Sequence, residues 1–499
     1  MNPPPAKPTA KPPGTGLKIF IVAPECVPFA KTGGLADVVG ALPKFLVARG
    51  HEVSVFLPRY RGIEPGPAVV PALSIPMGRT LLFPDIQDGR TREGVRYYFV
   101  DHPPYYDRES LYGTNSNDYP DNAERFALFA RAVLEFAKRA GPPDIIHCHD
   151  WQSALVAVLL KTIYAADPQL RRVAVVMTVH NLAYQGIFPP DTLERVALPA
   201  DFFSVDRLEF YGLVSFLKGA LIYSDFVTTV SKKYAQEIQT PEYGHGLDGV
   251  IRQRAATVTG ILNGVDYSEW NPETDPHIAA HYSADKLDGK ALCKKDLLQQ
   301  FGLPTADLRK PVVGIVSRFA TQKGFDLITE DADAFMKNDL LLVALGTGEP
   351  HFEEVFRQLA KKFPTKIGVR IAYDNALAHK VEAGSDIFLM PSRWEPCGLN
   401  QIYSLRYGTV PVVRATGGLD DTVEQFDPKT GRGTGFRFVR YAASALLECL
   451  LSALQVYRHH PKAWRQLMIN GMKKDFSWNH SAAEYEELFR RVVKKAQSG

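Results

Sequence analysis

Polar side chains and glycine pairs follow several short apolar runs of this sequence. The run DIIHC (144–148) leads into Asp150, and VAVVMTV (173–179) leads into His180. In the second half of the chain, VVGIV (312–316) is followed by Arg318 and Lys323, and DIFLM (386–390) is followed by Glu395. Ligands of open α/β sheets bind beyond the carboxyl ends of the strands, so we expect these residues to line a ligand site.

Two glycine pairs, Gly33-Gly34 and Gly417-Gly418, stand at the starts of predicted helices. Glycine lets backbone amides approach an anion closely, and a helix N-terminus favours negative charge. Arg318 and Lys323 add two cations, so the set suits a diphosphate whose negative charge increases as it leaves. The same residues are also compatible with two tight turns and a surface cation.

Glu395 stands in the segment Trp-Glu-Pro-Cys-Gly after a predicted strand. It suits a catalytic carboxylate or a partner for sugar hydroxyls, and equally a carboxylate that accepts from amides at a helix start. Cys397 is more typical of a small buried thiol than of a nucleophile. His180 is compatible with a site or with a hydrogen-bonded core position.

Several chemistries lack their signatures. The chain has no GxxxxGK[ST] loop and no GxGxxG after its first apolar run, which argues against a Walker-type ATPase and a dehydrogenase. The spacing of His147, His149 and Asp150 suits zinc, but no second His or Cys cluster supplies further ligands. We therefore expect neither a metal nor a cofactor.

Composition narrows the class of protein. The 499 residues are 45% hydrophobic and predict two or three folded domains. Because 58 basic residues stand against 55 acidic ones, the charge gives no case for nucleic acid or an anionic membrane as partner. The five cysteines are widely spaced, and no apolar run approaches a membrane span or a signal-peptide core, so we expect a cytoplasmic protein.

The apolar runs fall into two sets, each without polar alternation, as in parallel sheets buried on both faces. Two such sets predict an α/β protein with two doubly wound domains. The stretch 275–311 is more polar and predicts a helical connector. The predicted segments are a disordered Pro-rich tail at 1–16, an N-terminal domain at 17–265, a C-terminal domain at 266–465 and amphipathic C-terminal helices at 466–499.

Eight motifs then carry a resemblance along the chain. KTGGLADVVGALP at 31–43, HCHDW at 147–151, TVHNLAYQG at 178–186 and GLDGV at 246–250 lie in the first half. The second half adds LNGVDYSEWNP at 262–272, SRFATQKG at 317–324, PSRWEPCGLNQ at 391–401 and RATGGLDDTV at 414–423. In this order they resemble bacterial glycogen synthases and plant starch synthases, collinearly from about residue 17 to 490.

The resemblance implies a retaining glycosyltransferase of family five with the GT-B fold, in which two Rossmann-like domains face each other across a cleft. It implies that the C-terminal domain binds the nucleotide sugar, that the glucan enters the cleft, and that the last helices return to the N-terminal domain. The implied reaction transfers glucose from ADP-glucose to the non-reducing 4-hydroxyl of an α-1,4-glucan such as glycogen, without a metal.

The resemblance also implies roles for residues. Those matching the catalytic positions are Glu395, Arg318, Lys323 and His180. Those matching substrate-binding positions are Lys31, Gly33, Gly34, Asp37, Asp150, Asn263, Tyr373, Cys397, Gly398, Leu399, Gly417 and Gly418. Trp394 departs from a usual Phe or Leu. Three alternatives stay open: a UDP-glucose donor, a phosphorolytic enzyme with pyridoxal phosphate, and a non-catalytic glucan-binding protein.

Overall fold

The computed structural model describes residues 16–64, 66–114, 117–330 and 332–498. The predicted tail at 1–16 lies outside the described residues except for Gly16. The chain forms two compact units. Within the described residues, the first unit comprises the chain up to Val230, Ala235–Gly264 and the helix from Trp478 onward, and the second comprises Ser231–Tyr234 and Val265–Ser477.

The elements up to residue 264 build most of the first unit. The strands are β1 Lys18–Val22, β2 Glu52–Pro58, β3 Ala68–Val70, β4 Ile75–Met77, β5 Thr80–Leu82, β6 Asp85–Arg92, β7 Val95–Asp101, β8 Gly113–Thr114, β9 Asn117–Asp118, β10 Ile145–His149, β11 Ala174–Val179, β12 Ile187–Phe188, β13 Glu209–Phe210, β14 Leu213–Ser215, β15 Phe226–Thr229 and β16 Val258–Gly260. The helices are α1 Gly34–Ala48, α2 Pro103–Tyr106, α3 Asn122–Ala140, α4 Asp150–Lys161, α5 Thr192–Arg195, α6 Phe216–Tyr223, α7 Lys232–Glu237 and α8 Asp248–Gln253, with 3₁₀ turns at Ala200–Phe202 and Ala255–Thr257.

The first unit is organised around a nine-stranded sheet in the order β16-β15-β11-β10-β1-β2-β7-β6-β3. Neighbours from β16 to β7 pair in parallel, and β6 and β3 add an antiparallel edge. The chain starts at β1, extends the sheet through β2 and β7, and later returns to the other side of β1 with β10. The strand order therefore reverses between β1 and β10, the point where such sheets place ligands.

The sequence favours these elements for simple reasons. Strand β1 (KIFIV) is buried from Ile19 to Val22, as expected for a parallel strand covered on both faces. Helix α1 buries the stripe predicted from its 3.6-residue spacing, including Leu35, Val38 and Leu42. Pro43 lies within α1, which continues to Ala48.

The elements from residue 265 to 477 belong to the second unit, and the helix that follows them belongs to the first. The strands are β17 Val312–Val316, β18 Leu341–Gly346, β19 Ile367–Ile371, β20 Ile387–Met390, β21 Val410–Arg414 and β22 Phe436–Phe438. The helices are α9 Gly289–Gln300, α10 Asp326–Thr329, α11 Ala332–Lys337, α12 Pro350–Lys362, α13 Asn375–Gly384, α14 Asn400–Arg406, α15 Gly417–Thr422, α16 Ala443–His459, α17 Pro461–Met472 and α18 Trp478–Ser498, with a 3₁₀ turn at Thr321–Lys323.

The second sheet has six parallel strands in the order β19-β18-β17-β20-β21-β22. Alternate residues of β18 belong to different apolar clusters: Leu342 and Ala344 lie in one, and Leu341 and Val343 in the other. Both faces are therefore covered, which is the doubly wound arrangement. The strand order reverses between β17 and β20.

The end of the chain is divided between the units. Helix α17 contributes Trp464 and Leu467 to the core of the second unit, whereas α18 packs against α1 and β11 of the first unit. The predicted C-terminal segment 466–499 thus contains the end of α17, which packs in the second unit, and α18, which packs in the first. Within the described ranges, no helix combines the length and apolarity needed to cross a bilayer.

Candidate active site

The loops after β17, β20 and β21 interlock in the second unit. Lys323, after β17, places Nζ 2.6 Å from Oε2 of Glu395, which follows β20. Ser392 donates its hydroxyl to the same carboxylate oxygen at 3.0 Å. Glu395 is only 5% exposed, so burial strengthens its interaction with Lys323. The structure therefore brings two of the predicted catalytic residues into one ion pair.

The turn at Gly417 and Gly418 packs backbone against backbone on the Glu395 loop. Gly417 has a φ of +46°, and a Cβ there would lie 2.0 Å from the carbonyl oxygen of Glu395. A Cβ on Gly418 would lie 1.9 Å from the carbonyl oxygen of Cys397. The Gly418 N–H donates to the Glu395 carbonyl at 3.0 Å. Only glycines allow this approach, and in this structure the Gly418 amide serves the loop–loop contact.

The rest of the Glu395 loop is held by the side chain of Gln401, which lies in α14. Gln401 donates from Nε2 to the carbonyl oxygens of Cys397 at 3.0 Å and Gly398 at 2.9 Å. Cys397 is buried, and Leu399 directly precedes α14. These residues fix the path of the loop and so the position of Glu395.

Arg318 and Tyr373 follow β17 and β19 at the same edge of the sheet, but both side chains are exposed. Tyr373 is 79% exposed. The Arg318 guanidinium makes no hydrogen bond or ion pair with any described residue, so the structure does not join it to the Lys323–Glu395 pair. Arg318 is thus a solvated cation in the same segment after β17 that holds the ion-paired Lys323.

In the first unit, Glu25 anchors the loop that begins α1. Its buried carboxylate accepts from the Thr32 amide at 2.5 Å, the Thr32 hydroxyl at 2.6 Å and the Gly33 amide at 3.2 Å. The Tyr112 hydroxyl donates to it at 2.6 Å. The Glu25 carboxylate therefore holds the loop before Gly34 in place, because it accepts hydrogen bonds from two backbone amides of that loop.

Lys31 and Asp37 flank this loop and face each other. The Lys31 Nζ lies 2.6 Å from Asp37 Oδ1, and both side chains are more than a third exposed. Partial burial raises the pKa of Asp37, and the positive charge of the neighbouring Lys31 partly offsets this rise. An exposed pair of this kind contributes little to stability, so Lys31 can exchange its partner at small cost.

Asp150 occupies the junction of β10 and α4 with a φ of +53°. A non-glycine residue in this left-handed region is strained, and such strain concentrates at functional sites. Its Oδ1 accepts from the His180 amide at 2.7 Å, which ties the end of β10 to the end of β11. Burial raises the pKa of Asp150 to about 7, against the opposing effect of backbone amides.

Three histidines lie close together, His147 and His149 within β10 and His180 directly after β11. Nδ1 of His149 is 2.9 Å from Nε2 of His180, whereas Nε2 of His147 is 2.6 Å from the Thr178 hydroxyl. Burial lowers the pKa of His147 and His180 to about 3 and that of His149 well below its usual range. All three imidazoles are therefore neutral near pH 7 and act as hydrogen-bonding groups.

Asn263 lies after β16 and is buried, and its Oδ1 has no hydrogen-bond partner among the described residues. No group of three or more His, Cys, Asp or Glu side chains in the described part of the chain could hold a metal ion. The histidines of the HCHDW segment instead bond to Thr178 and to His180.

Sequence reasoning missed two residues that organise the two sites, Glu25 and Ser392, and the contact between His149 and His180. Each stands within a few residues of a strand's carboxyl end, which is the available signal. Glu25 and Tyr112 are 87 residues apart and His149 and His180 are 31 apart, so the pattern could not show these contacts. Ser392 is only three residues from Glu395, but that spacing alone does not show that its hydroxyl reaches the carboxylate.

Comparison with known proteins gives consistent matches along the chain. The family described as "Starch synthase catalytic domain" matches residues 18–253, and "Glycosyl transferases group 1" matches 301–466. A glycogen synthase of Koribacter versatilis is 58% identical over 95% of this chain and 98% of that protein, and one of Moorella thermoacetica is 47% identical over 97% and 98%. The catalytic domain of Arabidopsis thaliana starch synthase IV, solved with ADP and acarbose, is 37% identical with a TM-score of 0.87, covering 96% of this chain and 100% of that one.

The two Rossmann-like units, the ordered motifs and these relatives agree, and the chain belongs to the glycogen and starch synthase family of GT-B glycosyltransferases.

Proposed function

We propose that this glycosyltransferase transfers glucose from ADP-glucose to the non-reducing 4-hydroxyl of an α-1,4-glucan, with retention of configuration. The observation that carries the proposal is the ion pair of the half-buried Lys323 with the buried Glu395 at the strand-order reversal of the second unit. It combines a cation suited to a diphosphate with a carboxylate suited to sugar hydroxyls. The ADP bound to starch synthase IV supports adenine over uracil as the donor's base.

The leaving diphosphate gains negative charge as the bond from its oxygen to the glucose C1 breaks. Arg318 and Lys323 stabilise that charge in the transition state. Arg318 is exposed and needs to give up only water, whereas Lys323 must share its interaction with Glu395.

Retention requires either a nucleophile on the opposite face of the sugar or attack from the same face. Oε2 of Glu395 is already engaged by Lys323 and Ser392, so we assign this carboxylate to orienting the glucose hydroxyls. Attack then occurs on the same face through an oxocarbenium-like state. The bond from C1 to the acceptor oxygen forms, and the acceptor's hydroxyl proton passes to the departing phosphate oxygen.

The ends of β10, β11 and β16 in the first unit supply neutral and weakly charged groups suited to hydroxyls. His180, Asp150 and Asn263 are assigned to the sugar or the acceptor, and the Glu25-anchored loop with Lys31 to the donor. Tyr373 is assigned to the adenine, and Gly417 and Gly418 to the diphosphate turn. We further place the reaction in the cytoplasm, where the five buried thiols stay reduced.

The test is a turnover assay with glycogen and either ADP-glucose or UDP-glucose in the presence of EDTA. It follows nucleoside diphosphate release and glucan growth together. Glu395→Gln keeps the size of the side chain and removes the charge. Lys380→Ala is the matched control, because Lys380 also forms an ion pair in the second unit, with Asp296, at 24% exposure against 18% for Lys323.

We expect turnover with ADP-glucose, loss of turnover in Glu395→Gln and near-normal turnover in Lys380→Ala. Preference for UDP-glucose would overturn the donor assignment. Folded protein without turnover on either donor would favour a glucan-binding role. An absorbance spectrum that shows one pyridoxal phosphate per chain would favour a phosphorolytic enzyme.

A further inference from the structure

The ring of His180 is bonded on one side to a second histidine that lies deeper in the first unit. His149 is the last residue of β10 and is 0% exposed, whereas His180 is partly exposed. Their Nδ1 and Nε2 atoms are 2.9 Å apart. The His180 amide is also fixed, by Asp150. Both the backbone and the ring of His180 are thus held by residues at the end of β10.

A hydrogen bond between two neutral imidazoles requires one nitrogen to donate and the other to accept. Burial lowers the pKa of both rings, so a shared extra proton is not available near pH 7. The direction of the bond therefore decides which nitrogen of His180 carries its proton.

The far side of His149 selects the direction. Its Nε2 is buried and has no hydrogen-bond partner among the described residues. If His180 donated from Nε2, the proton of His149 would sit on that buried Nε2, as an N–H without an acceptor. Buried N–H groups without acceptors are rare because their desolvation is not compensated. With the proton of His149 on Nδ1, only a lone pair remains unpartnered.

We propose that His149 is a positioning residue that donates Nδ1–H to His180, and so fixes His180 with its own proton on Nδ1. Nδ1 of His180 has no hydrogen-bond partner among the described residues. His180 then presents a fixed N–H donor to an acceptor oxygen of the substrate. This reading rests on the proposed function for its kinetic consequence, but the tautomer itself is a property of the resting protein.

The first test is the tautomer, measured by long-range ¹H–¹⁵N correlation on protein with ¹⁵N-labelled histidine. The His180 signals are assigned by their loss in His180→Gln. We expect Nδ1–H on His180 in the parent protein and a change toward Nε2–H in His149→Leu. A parent protein with Nε2–H on His180 would overturn the inference.

The second test is kinetic and separates positioning from packing. His149→Leu removes the donor, and we expect kcat to fall about tenfold, the effect of one hydrogen bond, with little change in KM. His149→Asn keeps an N–H near Nδ1 and should retain most of the turnover. His147→Gln is the matched control, because His147 is equally buried and lies 4.1 Å from His149 by ring centroids, but bonds to Thr178.

Non-additivity completes the design. In a His180→Ala background, His149→Leu should cause no further loss of kcat, because its effect acts through His180. Equal losses in His149→Leu and His147→Gln would indicate packing alone and contradict the inference. An inactive parent protein with Nδ1–H on His180 would contradict the proposed function and leave the tautomer supported.

Discussion

The two units place functional residues at the same topological point, where the strand order reverses, but the charge of these residues differs. The second unit holds charge there: Lys323 with Glu395, and the exposed Arg318 nearby in sequence. At the ends of β10 and β11 the first unit holds neutral imidazoles, and burial lifts the pKa of Asp150 to about 7. The charged groups of the first unit, Lys31, Asp37 and Glu25, lie instead at the loop before α1. Fixed ions suit a leaving group whose charge grows, whereas neutral donors and acceptors suit hydroxyls whose charge changes little. One fold therefore serves both tasks, because the two units carry different side chains at the carboxyl ends of their strands.

The largest expected effect comes from removing the cation of the Lys323–Glu395 ion pair. Lys323→Met removes a cation from the diphosphate and also leaves the buried Glu395 without its ion partner. We expect turnover to fall by about a hundredfold or more, together with a loss of stability of about 3 kcal/mol. Turnover and thermal unfolding measure the two effects.

The double variant Lys323→Met/Glu395→Gln distinguishes them. Removing both charges should restore most of the stability, because no buried carboxylate is left unpaired, but should not restore turnover. Full turnover in either variant would contradict electrostatic stabilisation by Lys323.

Arg318→Ala tests the loss of a cation without the loss of an ion pair, because Arg318 has no ion partner among the described residues. We expect a loss of turnover of about a hundredfold, like that for one transition-state donor, but an unchanged melting temperature. A parallel fall in stability would show that Arg318 has a structural partner in solution.

The loop that precedes α1 provides the next test. Glu25→Gln removes the charge that holds the Thr32 and Gly33 amides, and we expect kcat/KM for the donor to fall about tenfold. Tyr112→Phe is its control, since it removes only one of the bonds to the same carboxylate and should have a smaller effect. Equal effects would assign the loop's order to Tyr112.

The smallest effect concerns Asp150. Its folded pKa of about 7 lies above the usual value of 3.8, so the stability it contributes is fully present below about pH 4 and is lost as pH rises through 7. Asp150→Asn stays neutral throughout. The melting temperature of the variant relative to the parent should therefore be higher at pH 8 than at pH 5. A difference that does not vary with pH would contradict the raised pKa.

Most of the two sheets could be predicted from the sequence, because strands buried on both faces are unbroken apolar runs. VVGIV is found as β17, Val312–Val316, without change of bounds. Strands β2, β7, β6 and β3 were not predicted. The last two form the antiparallel edge, and β6 (DIQDGRTR) mixes buried and exposed positions, so its composition is that of a loop.

The stretch 275–311 shows a different limit. Its polarity predicted a helical connector, but only α9 is helical. Asp275 is buried, accepts from Tyr407 at 2.5 Å and lies 2.7 Å from Nδ1 of His379. Trp270 stacks on His379 with ring centroids 3.8 Å apart. Partners so distant in sequence turn polar residues into core residues, and no local pattern encodes that.

The candidate site divides in the same way. The sequence indicated Lys323 and Glu395 as separate groups, but only the fold shows that they neutralise each other. It placed a glycine pair at Gly417 and Gly418 without showing that the Glu395 backbone requires both to lack a Cβ.

Helix α18 has a consequence for how the protein is made. Its Ser481 donates to the Leu262 carbonyl across 219 residues of chain, and its Glu486 pairs with Arg49 across 437. Its Tyr485 and Phe489 rings lie 5.3 and 5.2 Å from that of His147. On the ribosome the first unit is translated first, yet it waits for this helix until the second unit has been synthesised. The surface beside His147 that Tyr485 and Phe489 cover in the folded protein thus stays uncovered until the whole chain has been synthesised.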